Sequence, residues 1–343
     1  MNTTDLKEKL NILAVGAKDM EYPMFAQNIT FTPDGDVFTC NSDTFVRLSN
    51  IDSPFVGTFN FFVLRDVLSK TSELEVVKGS KSYLLKNGNI KYRLNYMPMP
   101  VPDLSSSLLN SESLRDSVTL TEDLIISIKK AFKFINLSST KLPQDEAFSY
   151  VYVSNNAVAS SDVTSAAFYE NISEEPSGKK YLLSKSMLPF LKEGVKLSGT
   201  SNHLVLSFKD GSIAFTTYKP SDFKIDQVIF SVKSTSLESK LICNDSALFT
   251  SQLDKLTPVL HGEKDKVVSI EIKNGVAKLI AGSAHNGIST IEFEIDQKEV
   301  EVNVEVAIPD LKKIDFGHKC FISKDRLVFL RGNSTIVLLN REN

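Results

Sequence analysis

One order of elements recurs three times along this chain, at a period of roughly 115–120 residues, and a recurrence of that length constrains the fold more than any single motif. Each unit opens with an amphipathic helix. Leu6, Leu10, Leu13 and Ala17 mark the first apolar face, and Leu124, Ile128, Ala131, Phe132 and Ile135 the second. Phe249, Leu253, Leu256 and Leu260 mark the third, behind Asn244 and Asp245. The spacing is that of a helix with one buried stripe, and Thr119 with Glu122 reads as a capping box for the second. An extended block follows each helix, at Gln27–Asn50, Phe148–Asn171 and Lys266–Asp296, rich in β-branched and aromatic residues. A short second helix is expected at Phe61–Ser69, Ser184–Lys192 and Pro309–Ile314. Each unit then closes with a hairpin, around Asn87-Gly88, Asp210-Gly211 and Gly332-Asn333. Asn-Gly and Asp-Gly between extended runs supply the positive φ that two-residue hairpin turns require.

Pro- and Ser-rich stretches, Met97–Ser117 and Lys219–Ser239, separate the units as linkers. The expected class is α+β: three tandem copies of one module, each with two helices packed on an antiparallel sheet, over residues 1–117, 118–236 and 237–343. Two of the extended blocks carry a matching Ser-Asp, Ser42-Asp43 and Ser161-Asp162, and the third has Gly282-Ser283 near the corresponding place.

The formal net charge of -3 excludes a wholesale basic binder, yet the cations gather on the helices. Lys7, Lys9, Arg65, Lys70, Lys129, Lys130, Lys133, Lys185, Lys192, Lys255, Lys312 and Lys313 all lie on or beside expected helices, while acids concentrate at Glu170–Glu175 and Glu292–Glu305. Basic helices in all three copies suit loose, sequence-independent contact with phosphates. Solvation of an exposed face is the ordinary use of any one of these lysines. Cys40, Cys243 and Cys320 have no metal-ligand spacing and form no disulfide framework. With charges near the N-terminus and no long apolar run, the expectation is a soluble cytoplasmic protein without membrane contact.

Nothing in the sequence demands an enzyme or a cofactor. There is no phosphate-binding Gly-rich loop, no His-Glu-x-x-His and no Gly-x-Ser-x-Gly. Ser283 and His285 are neighbours without a third partner, and Asp43 and Asp162 read as turn residues bonding local amides. A non-enzymatic oligomeric scaffold of tandem α/β modules is the rival reading. It needs neither basic helices nor an apolar groove.

Element order, repeat and basic helices resemble the bacterial DNA polymerase III beta sliding clamp and its phage-encoded relatives, over essentially the whole chain. Tyr22-Pro23-Met24-Phe25-Ala26-Gln27-Asn28-Ile29 is similar to the family's Leu-Pro-Ile-Leu-x-Asn-Leu stretch, with Lys18 at a basic loop position pointed at DNA. Tyr96-Met97-Pro98 with Pro102-Asp103-Leu104 resembles its first linker, and Pro220, Asp222 and Phe223 resemble its Phe-Pro-Asp-Tyr exit. Ala159-Ser160-Ser161-Asp162 stands where the family has Ala-Thr-Asp-Gly-His-Arg-Leu, and Pro143-Gln144-Asp145 resembles a polar loop near DNA. Asn303-Val304 ahead of Ile308-Pro309-Asp310-Leu311 resembles its Phe-Asn-x-x-Tyr-Leu-x-Asp-x-Leu. The chain departs from the family in lacking Gly-His-Arg-Leu after Asp162 and a Met-Pro-Met ending after Val337-Leu338-Leu339. The resemblance implies a homodimeric ring of six DNA-clamp modules around double-stranded DNA. It implies Lys7, Lys18, Arg65, Lys70, Lys129, Lys130, Lys133, Gln144, Lys185, Lys192, Lys255, Lys312 and Lys313 as the DNA-facing set. It also implies a groove near Ser161, Ala166, Pro220, Asn303, Val337, Leu338 and Leu339 that takes short linear peptides of a DNA polymerase and a clamp loader.

Overall fold

A computed structural model describes residues 4–19, 24–70, 73–105, 117–135, 147–154, 157–162, 164–170, 181–199, 203–217, 225–237, 239–283, 285–295 and 297–340. Gln144 and Pro220 lie outside them. The chain divides into two compact units, Met1–Ile125 with Lys185–Pro220, and Ile126–Ser184 with Ser221–Asn343.

The first unit holds an eight-stranded antiparallel sheet. Its order is Gly57–Asn60, Asn28–Phe31, Val37–Cys40, Thr44–Leu48, Ile213–Thr217, His203–Ser207, Lys196–Gly199 and Val118–Thr119. Helix α1 (Thr4–Leu13) and helix α2 (Phe61–Ser69) pack on it. Leu6, Leu10 and Leu13 are buried, as the periodicity requires. The Thr39 hydroxyl donates to the Leu13 carbonyl at 2.6 Å, satisfying a group left open at the helix end. Only a glycine fits beside that bond, since a Cβ on Gly16 would lie 2.5 Å from Thr39 Oγ1. The Asn60 side chain caps α2, accepting from the Val63 amide at 3.0 Å.

The opposite face of this sheet carries Phe38, Cys40, Phe45, Val205, Ile213 and Phe215. The rings of Phe45 and Phe215 stack at 5.0 Å, and Val101 from the segment after the first hairpin seats among them. Arg47 ties that segment down by donating to the Ser105 hydroxyl at 2.8 Å, while its other nitrogen pairs with Asp36 at 2.7 Å. A second sheet of three strands, Glu75–Lys78, Ser82–Asn87 and Ile90–Asn95, completes the unit.

The division between units falls inside helix α3 (Glu122–Ala131). The capping box expected at Thr119 is not formed. Thr119 pairs in a strand, and the Leu124 amide donates to Thr121 Oγ1 instead. The second unit has its own eight-stranded antiparallel sheet, ordered Tyr181–Leu183, Val151–Val153, Ala157–Ser161, Ser165–Glu170, Ser334–Leu339, Arg326–Arg331, Lys319–Ser323 and Lys240–Cys243. Here the Ser160 hydroxyl donates to Ala131 O at 2.8 Å, the same stitch as Thr39 to Leu13.

Two elements differ from expectation. The Ser-rich stretch read as a linker contains helix α4 (Ile225–Leu237), packed on the strands Ser165–Glu170 and Ser334–Leu339. The third amphipathic segment is broken into α5 (Ala247–Thr250), α6 (Leu253–Leu256) and a 3-10 turn Thr257–Leu260, where Pro258 cannot continue the α-helical bonding. Its apolar stripe is buried all the same. Helix α7 (Ile308–Leu311) follows a four-stranded sheet ordered Gly287–Glu294, Val276–Ser283, Val267–Lys273 and Val302–Ala307. Among the described residues no helix is long and apolar enough to cross a membrane, and no group of three His, Cys, Asp or Glu side chains could hold a metal.

Candidate functional site

Where the two central strands of the second sheet meet, Ala166 pairs with Val337. The turn leading into Ala166 is built by Asp162, whose Oδ1 accepts from the amides of Thr164 at 2.8 Å and Ser165 at 2.6 Å. The first sheet has the same turn. Asn41 Oδ1 accepts from the amides of Asp43 and Thr44, both at 2.8 Å. The next residue is Phe45, which pairs with Phe215. Ala166 and Val337 thus occupy the positions of Phe45 and Phe215, and Ser161 that of Cys40. Small side chains replace two stacked rings, and a groove of about 290 Å³ opens between the sheet face and α4.

Ser161, Asp162, Ser165, Ala166, Val337 and Leu339 line it from the sheet. Gln227, Ser231, Val232 and Thr235 line it from α4, and Arg326 from the neighbouring strand. Of the residues expected here, Leu338 is buried and absent from the lining, because alternate side chains of a strand point to opposite faces. Asn303 is exposed on the four-stranded sheet, paired with Glu271, and does not line the groove. The α4 side chains were missed because their stretch was read as a linker. The spacing of Ile225, Val228, Ile229 and Val232 was the available signal.

Asp162 is neutralised from below. Lys313 Nζ donates to its Oδ2 at 2.8 Å and pairs with Asp310 Oδ1 at 2.6 Å. Asp310 Oδ2 accepts from Thr164 Oγ1 at 2.7 Å, closing the network. Burial alone would raise the Asp162 pKa, but the Lys313 ammonium and the turn amides outweigh it and hold the carboxyl below the usual carboxylate range. Burial likewise works against the Lys313 charge, and the two carboxylates more than offset it, raising its pKa. Lys313 also lies 5.4 Å above the Phe134 ring. It was expected to face DNA, yet its side chain is only 20% exposed and committed to two internal carboxylates.

The other basic positions differ in exposure and partners. Lys70, Lys129, Lys185 and Lys192 are exposed. Arg65 lies across the rings of Phe61 and Phe62, 5.5 Å from each centroid, and Lys7 is half-buried on α1. Several are partly engaged. Lys133 reaches Asp315 at 2.7 Å with Lys130 at 3.9 Å, Lys312 reaches Asp254 at 2.5 Å, and Lys18 approaches Asp43 at 4.0 Å. Lys255 donates to Gln252. These exposed pairs are weak and exchange readily with solvent anions.

Two of the end strands among the described residues carry opposite charge. Ile90–Asn95 ends the three-stranded sheet and exposes Lys91 and Arg93 on one face. Gly287–Glu294 ends the four-stranded sheet and exposes Glu292 and Glu294, with Lys278 3.9 Å from Glu292. Ile90 and Ile288 are exposed on these two strands. Open edges with apolar residues and opposite charge are templates for strand addition.

No family profile and no curated protein sequence matches the chain. Solved structures do. The DNA polymerase sliding clamp from Caulobacter crescentus is similar with a TM-score of 0.78 at 15% identity, over 99% of this chain and 98% of that one. The DNA polymerase III subunit beta from Pseudomonas aeruginosa gives 0.77 at 13% identity, over 99% and 98%. The beta subunit from the DNA polymerase of Streptococcus pyogenes gives 0.78 at 13% identity, again over 99% and 98%. The chain has the sliding-clamp fold from end to end.

Proposed function

We propose that this chain is a DNA sliding clamp: a processivity factor that encircles duplex DNA and holds a polymerase to it without bond chemistry of its own. The observation that carries the reading is the fold, matched over 99% of the chain and 98% of solved clamps. In this reading the chain is three tandem clamp modules, and two copies close a ring through the basic edge strand Ile90–Asn95 of one and the acidic edge Gly287–Glu294 of the other. Backbone bonding along the joint removes both open edges, and the opposed charges set the register.

The DNA-facing set would be the exposed cations on helices and turns: Lys70, Lys129, Lys185 and Lys192, with Lys7, Lys18, Arg65, Lys130, Lys133, Lys255 and Lys312 beside them. Gln144 belongs to the same proposal on sequence grounds alone. Dispersed lysines hold a polyanion weakly and without register, which a sliding contact requires, and enclosure rather than affinity supplies retention. Lys313 is better explained as a strut beneath the groove.

The groove would take an extended peptide of a polymerase or loader. The first sheet indicates what suits such a place, since its equivalent face is filled by Val101 from an extended segment of the chain itself. A tethered partner gains effective concentration at the primer end.

Class averages from negative-stain electron microscopy test the reading first. A closed two-chain ring with a hole wide enough for duplex DNA is expected. Solid particles or open filaments at every concentration would refute it and favour an assembly scaffold. Replacing Leu339 with Glu should abolish polymerase stimulation while leaving the ring intact.

A further inference from the structure

We infer that the groove selects an extended peptide carrying a carboxylate two residues from its apolar anchor, and that Arg326 is the residue that reads it. The inference rests on the groove being a peptide site and adds the chemistry of what enters.

The groove contains two ionisable side chains of opposite sign, and only one is satisfied. Asp162 receives two amides, the Thr164 hydroxyl and the Lys313 ammonium, so its charge is spent inside the protein. Arg326 is held only by longer contacts. One of its terminal nitrogens donates to Ser231 Oγ at 3.3 Å and Thr235 Oγ1 at 3.4 Å, both long bonds to neutral groups. Its Nε lies 3.8 Å from Asp325 Oδ1, a carboxylate that is 42% exposed. A guanidinium offers five donors in a planar fork matched to carboxylate, and Arg326, which lines the groove, has its second terminal nitrogen left for a ligand.

Position supports the same conclusion. Arg326 pairs directly with Leu339, two residues along the strand from Val337, the floor of the apolar gap. Two extended residues span about 6–7 Å. A peptide running parallel to that strand with its anchor over Ala166 and Val337 therefore brings the side chain two places along beside Arg326. The chain's own segment on the first sheet has this composition. Val101 is the anchor, and Asp103 follows two residues later. Asp103 Oδ1 accepts from the Ser105 hydroxyl at 2.6 Å, which in turn accepts from Arg47 at 2.8 Å. An arginine thus already meets an apolar–acidic segment on that face through one hydroxyl, though from the other end of the strand, where Arg47 pairs with Ile213.

A phage-displayed random octapeptide library panned on the full chain tests this. The wild type should select peptides with a large apolar residue and Asp or Glu two places away. Arg326→Lys should keep the acidic preference, whereas Arg326→Gln should lose it while still selecting the apolar anchor. A fluorescein-labelled consensus peptide should bind the wild type about tenfold more tightly than its Asp→Asn analogue, and R326Q should bind both alike. Acid-blind selection by the wild type, or equal affinity for the two peptides, overturns the role of Arg326. Failure of the groove itself looks different: no apolar consensus emerges, or selected peptides bind L339E as well as the wild type.

Discussion

Lys313 Nζ and Asp162 Oδ2 meet at 2.8 Å although the residues stand 151 positions apart in the sequence. The pair fixes the turn that forms one lip of the groove, and Asp310 completes it. Lys313→Met would strand two carboxylates whose side chains are 13% and 9% exposed. The expected cost is about 3 kcal/mol, because an unpaired buried charge is costlier than the pair is stabilising. Urea denaturation measures it, and a loss below about 0.5 kcal/mol would place the pair with solvent-exposed ion pairs instead.

The same network sets a pH response. Asp162 is held below its unfolded value by Lys313, and Asp315 by Lys133, against the opposing effect of burial in each case. A depressed carboxylate stabilises fully above its unfolded pKa, near 3.9, and that stabilisation is lost as pH falls through the folded value. Lys313 is raised, so its contribution is complete below about 10.4 and is lost as pH rises through the folded value. The urea midpoint should therefore fall below about pH 4, and Asp162→Asn should flatten that acid limb. A midpoint that rises toward acid would contradict these ion pairs.

Much of the fold was legible because it rests on periodicity. The stripes at Leu6, Leu10 and Leu13 and at Leu124 and Ile128 are buried, and α2 spans Phe61–Ser69 as expected. What escaped depends on single bonds that spacing does not reveal. Matching Ser42-Asp43 to Ser161-Asp162 puts the turn two residues out of place in the first copy. Asn41, and not Asp43, does there what Asp162 does in the second. Thr121 rather than Thr119 bonds the Leu124 amide, because Thr119 is drawn into a strand. Lys313 looks like any surface lysine until the chain brings Asp162 beneath it. Helix α4 was hidden by its serines, two of which turn their hydroxyls back on helix carbonyls: Ser234 to Ser231 and Ser236 to Lys233.

Ala166→Phe puts a ring where the first sheet has Phe45, and should fill the groove from within. Peptide affinity should drop at least tenfold with stability changed by less than about 1.5 kcal/mol, since the ring enters open space. Titration of a labelled peptide beside a melting curve separates the two effects. Undiminished binding would locate the peptide elsewhere.

Reversing Lys91 and Arg93 to Glu should weaken association between copies by about tenfold or more at low salt, because like charges would then face Glu292 and Glu294. Adding Glu292→Lys and Glu294→Lys in the same chain should restore it. Sedimentation equilibrium reads both steps, and an association constant indifferent to all four changes would mean that these edges never meet.

The two edges are different strands from different units, so a joint made from them has a sense, donor edge to acceptor edge. In a closed ring, copies joined this way would be related by rotation about the ring's axis and never by a flip across it. Every groove in such a ring would then open toward the same side. An object threaded on a helix with chemically distinct 5′ and 3′ ends would carry its cargo facing one way, and would have to be put on the right way round.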